Sequence, residues 1–257
     1  MNKRDDRIIK LIELLRQRQG MTIRQLAEFF DVSEMTIRRD MDLLKRDNVI
    51  LDIPGAAILN SNVASATDNY SIALAIDTHA QEKERIGRYA ARLVENNDCV
   101  IIDNGTTTEK LAASLSPSIF ATVLTSNLNI INTLTKKPNI SIITGGGNYH
   151  SDTGLFECSD NISIIQKFRA TKVFCSAAGV HETMGVTCMN SYEVATKRAI
   201  LSSGEKLILL VDSSKFAQVK SCYVSDIASY DMIITDSGIS DECAATIRGL
   251  CPELIIV

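Results

Sequence analysis

The stretch Ser33-Glu34-Met35-Thr36-Ile37-Arg38-Arg39-Asp40 sets two adjacent arginines a few residues beyond a Ser and a Thr. Arg bonds guanine edges in a bidentate fashion. Ser or Thr at a helix start holds phosphate beside free backbone N–H groups. Together these residues have the chemistry needed to read a DNA groove, and Thr22, Glu34, Met35 and Arg46 complete the candidate contact set.

A second group suits a small anion. Asp103-Asn104-Gly105-Thr106-Thr107-Thr108 follows the apolar run "CVII" and precedes a helical pattern. Glycine lets backbone approach an anion, and hydroxyls at a helix N-terminus hold phosphate. Thr125-Ser126-Asn127, Gly145-Gly146-Gly147, the "SAAGVH" loop around Gly179 and "VDSSKF" at 211–216 follow later apolar runs. If these runs are parallel strands, their loops are expected to share one mouth. Lys215 would supply positive charge there, or is a solvated lysine beside an Asp212 cap. Glu193 and Lys197, four apart, are a further candidate pair, or an ordinary i,i+4 support on a helix surface.

Other chemistry is not indicated. There is no GxxxxGK[ST], so nucleotide hydrolysis has no cradle. His79, His150 and His181 are too scattered to suggest a metal site. The seven cysteines, at 99, 158, 175, 188, 222, 243 and 251, are odd in number and form no CxxC pair, which points to reduced thiols. No catalytic residue, cofactor or metal is expected.

These residues need elements to hold them. Ile8, Leu11, Ile12 and Leu15 predict a helix over about Arg4–Gln17. Thr22 caps a second helix with Leu26, Phe29 and Phe30 as its apolar face, and Ser33 caps a third. On that third helix Ile37, Met41 and Leu44 form a stripe, leaving Met35, Arg38, Arg39, Asp42 and Arg46 facing outward. "VILDIPGAAIL" predicts a hairpin around Pro54-Gly55. This is a winged helix-turn-helix over residues 1–57. Residues 58–75 lack a period and read as a linker. From 76 to 257 short apolar strands alternate with helices, which means a doubly wound parallel sheet, Rossmann-like in build.

The totals fit. The 257 residues carry a net charge of -4 and are 45% apolar, enough for a packed core without a membrane span. Residues 1–57 hold 11 Lys+Arg against 10 Asp+Glu, and the remainder 16 against 21, so the basic excess is confined to the head. A cytoplasmic location is expected.

Residues 4–53 resemble the DNA-binding head of the DeoR family of bacterial sugar-metabolism regulators, and "VSEMTIRRDMDLL" at 32–44 is close to that family's signature. Members usually continue with an Arg and a His-Gly-Gly-Ala element, where this chain has "ILDIPGAA". Residues from about Ala80 to Ile234 resemble the family's effector domain. That resemblance implies a fold like ribose-5-phosphate isomerase and a phosphorylated sugar as ligand. It places ligand loops at Asp103–Thr108, Thr125–Asn127, Gly145–Gly147, Gly179, Glu193 and Asp212–Phe216. "SAAGVHETMGVTCMN" is similar to members that respond to deoxyribose 5-phosphate. No carboxylate lies in Cys175–Gly179, so proton abstraction from a sugar has no obvious base there. The resemblance implies a repressor acting as a homo-oligomer on paired operator half-sites. The competing readings are an isomerase-like enzyme with a DNA-binding head, and a regulator of another sugar pathway.

Overall fold

The structure, a computed structural model, describes residues 7, 8, 10, 11, 14, 21–46, 50–53, 56–59 and 78–257. Residues 45, 46, 50–53 and 56–59 are described by their backbone alone. The chain divides into two compact units, Met1–Asn69 and Tyr70–Val257.

In the first unit, the described residues of the first predicted helix, Arg7, Ile8, Lys10, Leu11 and Leu14, are helical. Its predicted Ile12 and Leu15 lie outside the described residues. Helix α1 (Ile23–Phe30) starts at Thr22, whose side chain accepts from Gln25 N while Gln25 reaches back to Thr22 N. This reciprocal pair satisfies two of the donors a helix start leaves open. Asp31, in the left-handed region at φ 50°, ends α1 and opens the turn. Ser33 accepts from Thr36 N at 3.2 Å at the start of α2 (Glu34–Arg46). Ile8, Leu11, Leu14, Leu26, Ala27, Ile37, Met41 and Leu44 form the core. One expectation fails here: Phe29 is 58% exposed. The buried stripe of α1 is centred on Leu26 and Ala27, and Phe29 sits beyond its edge, about 100° round from Phe30. Strands β1 (Ile50–Ile53) and β2 (Ala56–Leu59) pair antiparallel with Ile53 opposite Ala56, as the expected hairpin requires. β2 runs two residues past the boundary expected at 57. Pro54 and Gly55, and 60–75 of the expected linker, lie outside the described residues.

The second unit is built on seven parallel strands. These are β3 (Cys99–Ile102), β4 (Ala121–Leu124), β5 (Ile140–Ile143), β8 (Ala170–Ser176), β11 (Gly204–Leu210), β13 (Met232–Thr235) and β14 (Glu253–Ile256). Their order across the sheet is β14-β13-β11-β8-β3-β4-β5, all parallel. Both faces are covered, so alternate strand residues enter two different cores. Val100, Ile102 and Phe174 pack with Ile86, Leu111 and Ile130, from helices α3 (Ala80–Ala91), α4 (Thr106–Ser114) and α5 (Leu128–Leu134). Ile101, Val173 and Cys175 pack with Ile165, Ile200 and Ile247, from α6 (Ser159–Lys167), α7 (Ser191–Leu201) and α8 (Asp241–Leu250).

The order turns at β3. From there the chain winds outward through β4 and β5, then returns to the other side of β3 at β8 and winds on through β11 and β13. A crevice opens at such a switch point, at the carboxyl ends of the two central strands.

Strands also appear where loops were expected. β6 (Asn148–His150) pairs with β7 (Leu155–Glu157), and β10 (Gly185–Cys188) pairs antiparallel with both β9 (Gly179–His181) and β12 (Cys222–Ser225). These pieces are three or four residues long and rich in Gly and polar residues, too short to show a period. All seven cysteines are free, and among the described residues no helix is long and apolar enough to cross a membrane.

Candidate functional site

The first candidate surface is the outer side of α2. Ile37, Met41 and Leu44 are buried beneath it, while Ser33, Glu34, Met35, Arg38 and Arg39 are exposed and Thr36 is half-buried. Ser33 and Thr36 share a hydroxyl–hydroxyl bond of 2.9 Å at the helix start. Arg38 lies 3.6 Å from Glu34, one turn back. Arg46 closes the helix, and its side chain lies outside the described residues. Thr22 is occupied as the cap of α1. Asp40, on the inner side, is 1% exposed and takes Arg7 Nε at 2.7 Å, which fastens the first helix to α2.

The second candidate site is a hollow of about 550 Å³, counting its open mouth, at the switch point of the parallel sheet. Residues after β3 (Asn104 to Thr107), at the end of β8 and just after it (Ser176 to Ala178) and after β11 (Val211, Lys215) line it. Glu193 and Lys197 from α7, Cys188 and Met189 at the end of β10, Thr153 between β6 and β7, and Lys83 from α3 close it round. Of the sequence candidates, Asn104, Gly105, Thr106, Thr107, Glu193, Lys197 and Lys215 therefore meet.

The remaining candidates do not line the hollow, and each has an assigned place. Thr108 is fully buried and donates to the carbonyls of Asp103 and Gly105. Thr125 and Asn127 build the cap of α5, and Asn127 also donates to Thr153 O. Ser126 bonds Asn161, against which Gly145 packs. Gly146 is exposed, and Gly179 lies in β9 against the backbone of Gln218. The expectation that every loop shares one mouth is corrected by strand order. The turns directly after β4 and β5 lie one and two strand spacings of about 4.8 Å outward from β3, and of the chain between β5 and β8 it is Thr153, between β6 and β7, that reaches the hollow.

Asp103 sits directly behind the lining. Its Oδ2 takes Lys197 Nζ at 2.5 Å and Ser176 N at 3.1 Å, and both charged side chains are under 6% exposed. Burial pulls the Lys197 ammonium down, but Asp103 and Glu193 together outweigh it and hold the amine charged far above its ordinary value. Glu193 takes Asn190 N and Nδ2 on one oxygen, at 3.2 and 3.1 Å, and Asn104 Nδ2 on the other at 2.9 Å. Glu193 and Lys197 are thus buried members of the site wall rather than surface support. Gly105 is required for close approach: a Cβ there would stand 2.3 Å from Ser176 Oγ.

Lys83 was not legible as a site residue. It is 2% exposed, and its Nζ donates to Thr78 O at 2.8 Å. Burial, with help from Lys215 and Lys110 and against Asp212 and Glu109, brings its amine down to about 8. Its helix reads as a charged surface helix in sequence, and only the place of α3 beside α4 turns it inward. Cys188, pushed up to about 12 chiefly by burial, stays a thiol and presents no charge.

The chemistry on offer is specific in kind. The N-terminus of α4, with Thr106 and Thr107 and two lysines at hand, suits an anion. Asp103 Oδ1, Asn104 Oδ1 and Asp212 Oδ2 are buried acceptors without a hydrogen-bond partner among the described residues, and such atoms want donors. Ala177, Ala178, Met189 and Val211 add apolar lining. A small anion bearing both hydroxyls and carbon matches this mixed lining.

A helix-turn-helix head joined to an α/β unit with such a hollow is the build of a sensor-type transcription regulator. Residues 7–63 match the DeoR-like helix-turn-helix domain, and residues 78–237 match the DeoR C terminal sensor domain. The chain is 31% identical over 240 residues to the deoxyribose operon repressor of Escherichia coli, covering 93% of each chain. It belongs to the DeoR family. It is also 33% identical over 227 residues to the glycerol-3-phosphate regulon repressor of Escherichia coli, covering 88% of each. Among solved structures it is similar to ribose 5-phosphate isomerase A from Methanocaldococcus jannaschii. That likeness has a TM-score of 0.40 at 14% identity, over 54% of this chain and 55% of that one, too distant to bear on chemistry.

Proposed function

We propose that this chain represses genes of sugar or deoxyribonucleoside catabolism and is released from operator DNA by a phosphorylated sugar, with deoxyribose 5-phosphate the first candidate. In this reading residues 1–57 bind DNA through α2, 58–75 link the units, and 76–257 sense the effector. The protein acts in the cytoplasm as a homo-oligomer, since operators are read as paired half-sites. The single observation that carries the reading is the switch-point hollow. It gathers a helix N-terminus, Thr106, Thr107, Lys215 and the buried acceptor Asn104. A sugar phosphate has the anion and the hydroxyls that such a lining would satisfy. The deoxyribose and glycerol-3-phosphate relatives support a ligand of this class by their names, and both are repressors rather than enzymes. The buried carboxylates Asp103 and Glu193 are engaged by Lys197, Ser176, Asn190 and Asn104, which suits binding better than proton transfer.

A thermal-shift panel on the full chain tests this, with deoxyribose 5-phosphate, ribose 5-phosphate, fructose phosphates and unphosphorylated sugars. An effector at 100 times its Kd adds about 2.7 kcal/mol. That is a rise of roughly 5–10 °C for a unit of this size. A response to another sugar phosphate alone would move the assignment to that sugar, and turnover of ribose 5-phosphate would make the chain an enzyme. Lys215→Ala is expected to bind operator normally in a gel-shift assay and to resist release by the effector. Release at the wild-type concentration would remove Lys215 from the site.

A further inference from the structure

We infer that Lys83 is the residue that recognises the phosphate group in the sensor hollow, an assignment that rests on the sugar-phosphate reading above. Lysines mostly keep the ammonium in water, yet this one is 2% exposed and lines the hollow from α3. It faces the start of α4, where Thr106 and Thr107 line the same hollow, and the Lys215 loop approaches from the end of β11. The charged groups around it are Asp212 and Lys215 on that loop, Glu109 and Lys110 on α4, and Glu193 and Lys197 across the hollow on α7. Lys197 is committed to Asp103 at 2.5 Å. Glu109, raised chiefly by burial, takes a hydrogen bond from Asn129 Nδ2 at 2.9 Å. Lys83, buried at the hollow with its Nζ on Thr78 O at 2.8 Å and its amine brought down to about 8, is a lysine whose charge a ligand dianion can change near neutral pH.

A titration signature follows. With its amine brought down to about 8, Lys83 is about half protonated at pH 8 in the ligand-free protein. A phosphate dianion beside it favours the ammonium, so binding at pH 8 takes up a proton, about half an equivalent at most, and affinity falls as pH rises through that region.

The experiment is isothermal titration of the full chain and of Lys83→Met with inorganic phosphate and with deoxyribose 5-phosphate. It is run at pH 8 in two buffers of different ionisation enthalpy, then repeated at pH 7 and 9.5. Methionine keeps the buried aliphatic length and removes a charge that burial disfavours, and a cooperative thermal unfolding transition of residues 70–257 in the variant reports that its unit is folded. Wild type is expected to take up a proton and to bind more weakly at pH 9.5. Lys83→Met is expected to lose about 10- to 100-fold in affinity, along with the proton uptake. Should the variant fail to fold, proton uptake and the pH trend in wild type still decide the matter. Binding of inorganic phosphate that needs Lys83, without any response to the sugar phosphate, supports the residue and overturns the sugar. Equal affinity in wild type and Lys83→Met, or wild-type binding with no proton uptake, overturns Lys83 and leaves the sugar-phosphate reading standing. A wild type that binds neither probe overturns both.

Discussion

Lys197→Ala is expected to lower the unfolding free energy of the sensor unit by about 3–5 kcal/mol, because it leaves the Asp103 carboxylate buried without its cation. Asp103 is 2% exposed and Lys197 4%. The remaining donors to Asp103 Oδ2, Ser176 N at 3.1 Å and Ser176 Oγ at 3.5 Å, cannot replace a full positive charge. Asp103 Oδ1 already has no partner among the described residues, so the carboxylate has no second anchor to fall back on. In a urea titration the midpoint should fall with the slope little changed. In a thermal scan the drop should be on the order of 10 °C. A loss below about 1 kcal/mol would mean that the carboxylate reaches water once the lysine is gone. The same reasoning applies to Asp103→Ala. That variant strands a buried ammonium, so a failure to respond to effector would report a damaged fold before it reported an absent ligand bond.

The second large effect belongs to the head. Arg39→Ala is expected to weaken operator binding by about 1–3 kcal/mol, a loss of roughly 5- to 150-fold, while stability changes by no more than about 0.5 kcal/mol. Arg39 is exposed on the outer side of α2, and the core residues Ile37 and Met41 on the inner side are unaffected by its removal. Arg38 beside it is partly committed to Glu34 at 3.6 Å, so Arg39 is the cleaner test. Salt separates two roles for it. If Arg39 holds a phosphate, its removal reduces the slope of log affinity against log salt by about one. If it reads a base edge, its removal relaxes sequence preference at one operator position. Unchanged affinity would place the recognition surface elsewhere.

The head was legible because its signals are local. Ile37, Met41 and Leu44 are spaced by the helix, and Thr22 and Ser33 announce their helices within three residues. The parallel sheet was legible because strands covered on both faces are continuous apolar runs, as "CVII", "LILL" and "MIIT" are. Pairings across the chain were not. Asp40 and Arg7 are 33 residues apart, and Lys197 and Asp103 are 94 apart. No spacing rule reaches that far. Glu193 and Lys197 satisfied two descriptions equally well in sequence, and only burial chose between them. Lys83 carried the opposite disguise, a charged residue in a charged helix. Phe29 misled because a short helix has too few residues to fix the centre of its apolar stripe.

Gly105 and Ser176 have a consequence for how this site changes over time. The space a side chain would need at position 105 is filled by Ser176 Oγ and Cβ, at 2.3 and 2.6 Å. A lineage that first replaced Gly105 would have to spread β3 from β8 at the switch point. One that first reduced Ser176 to glycine would open room at little steric cost. The two positions are epistatic, and the order of substitution is constrained although the residues stand 71 apart in the chain. Sensors descended from such a chain would reach new ligand specificities by way of 176 before 105.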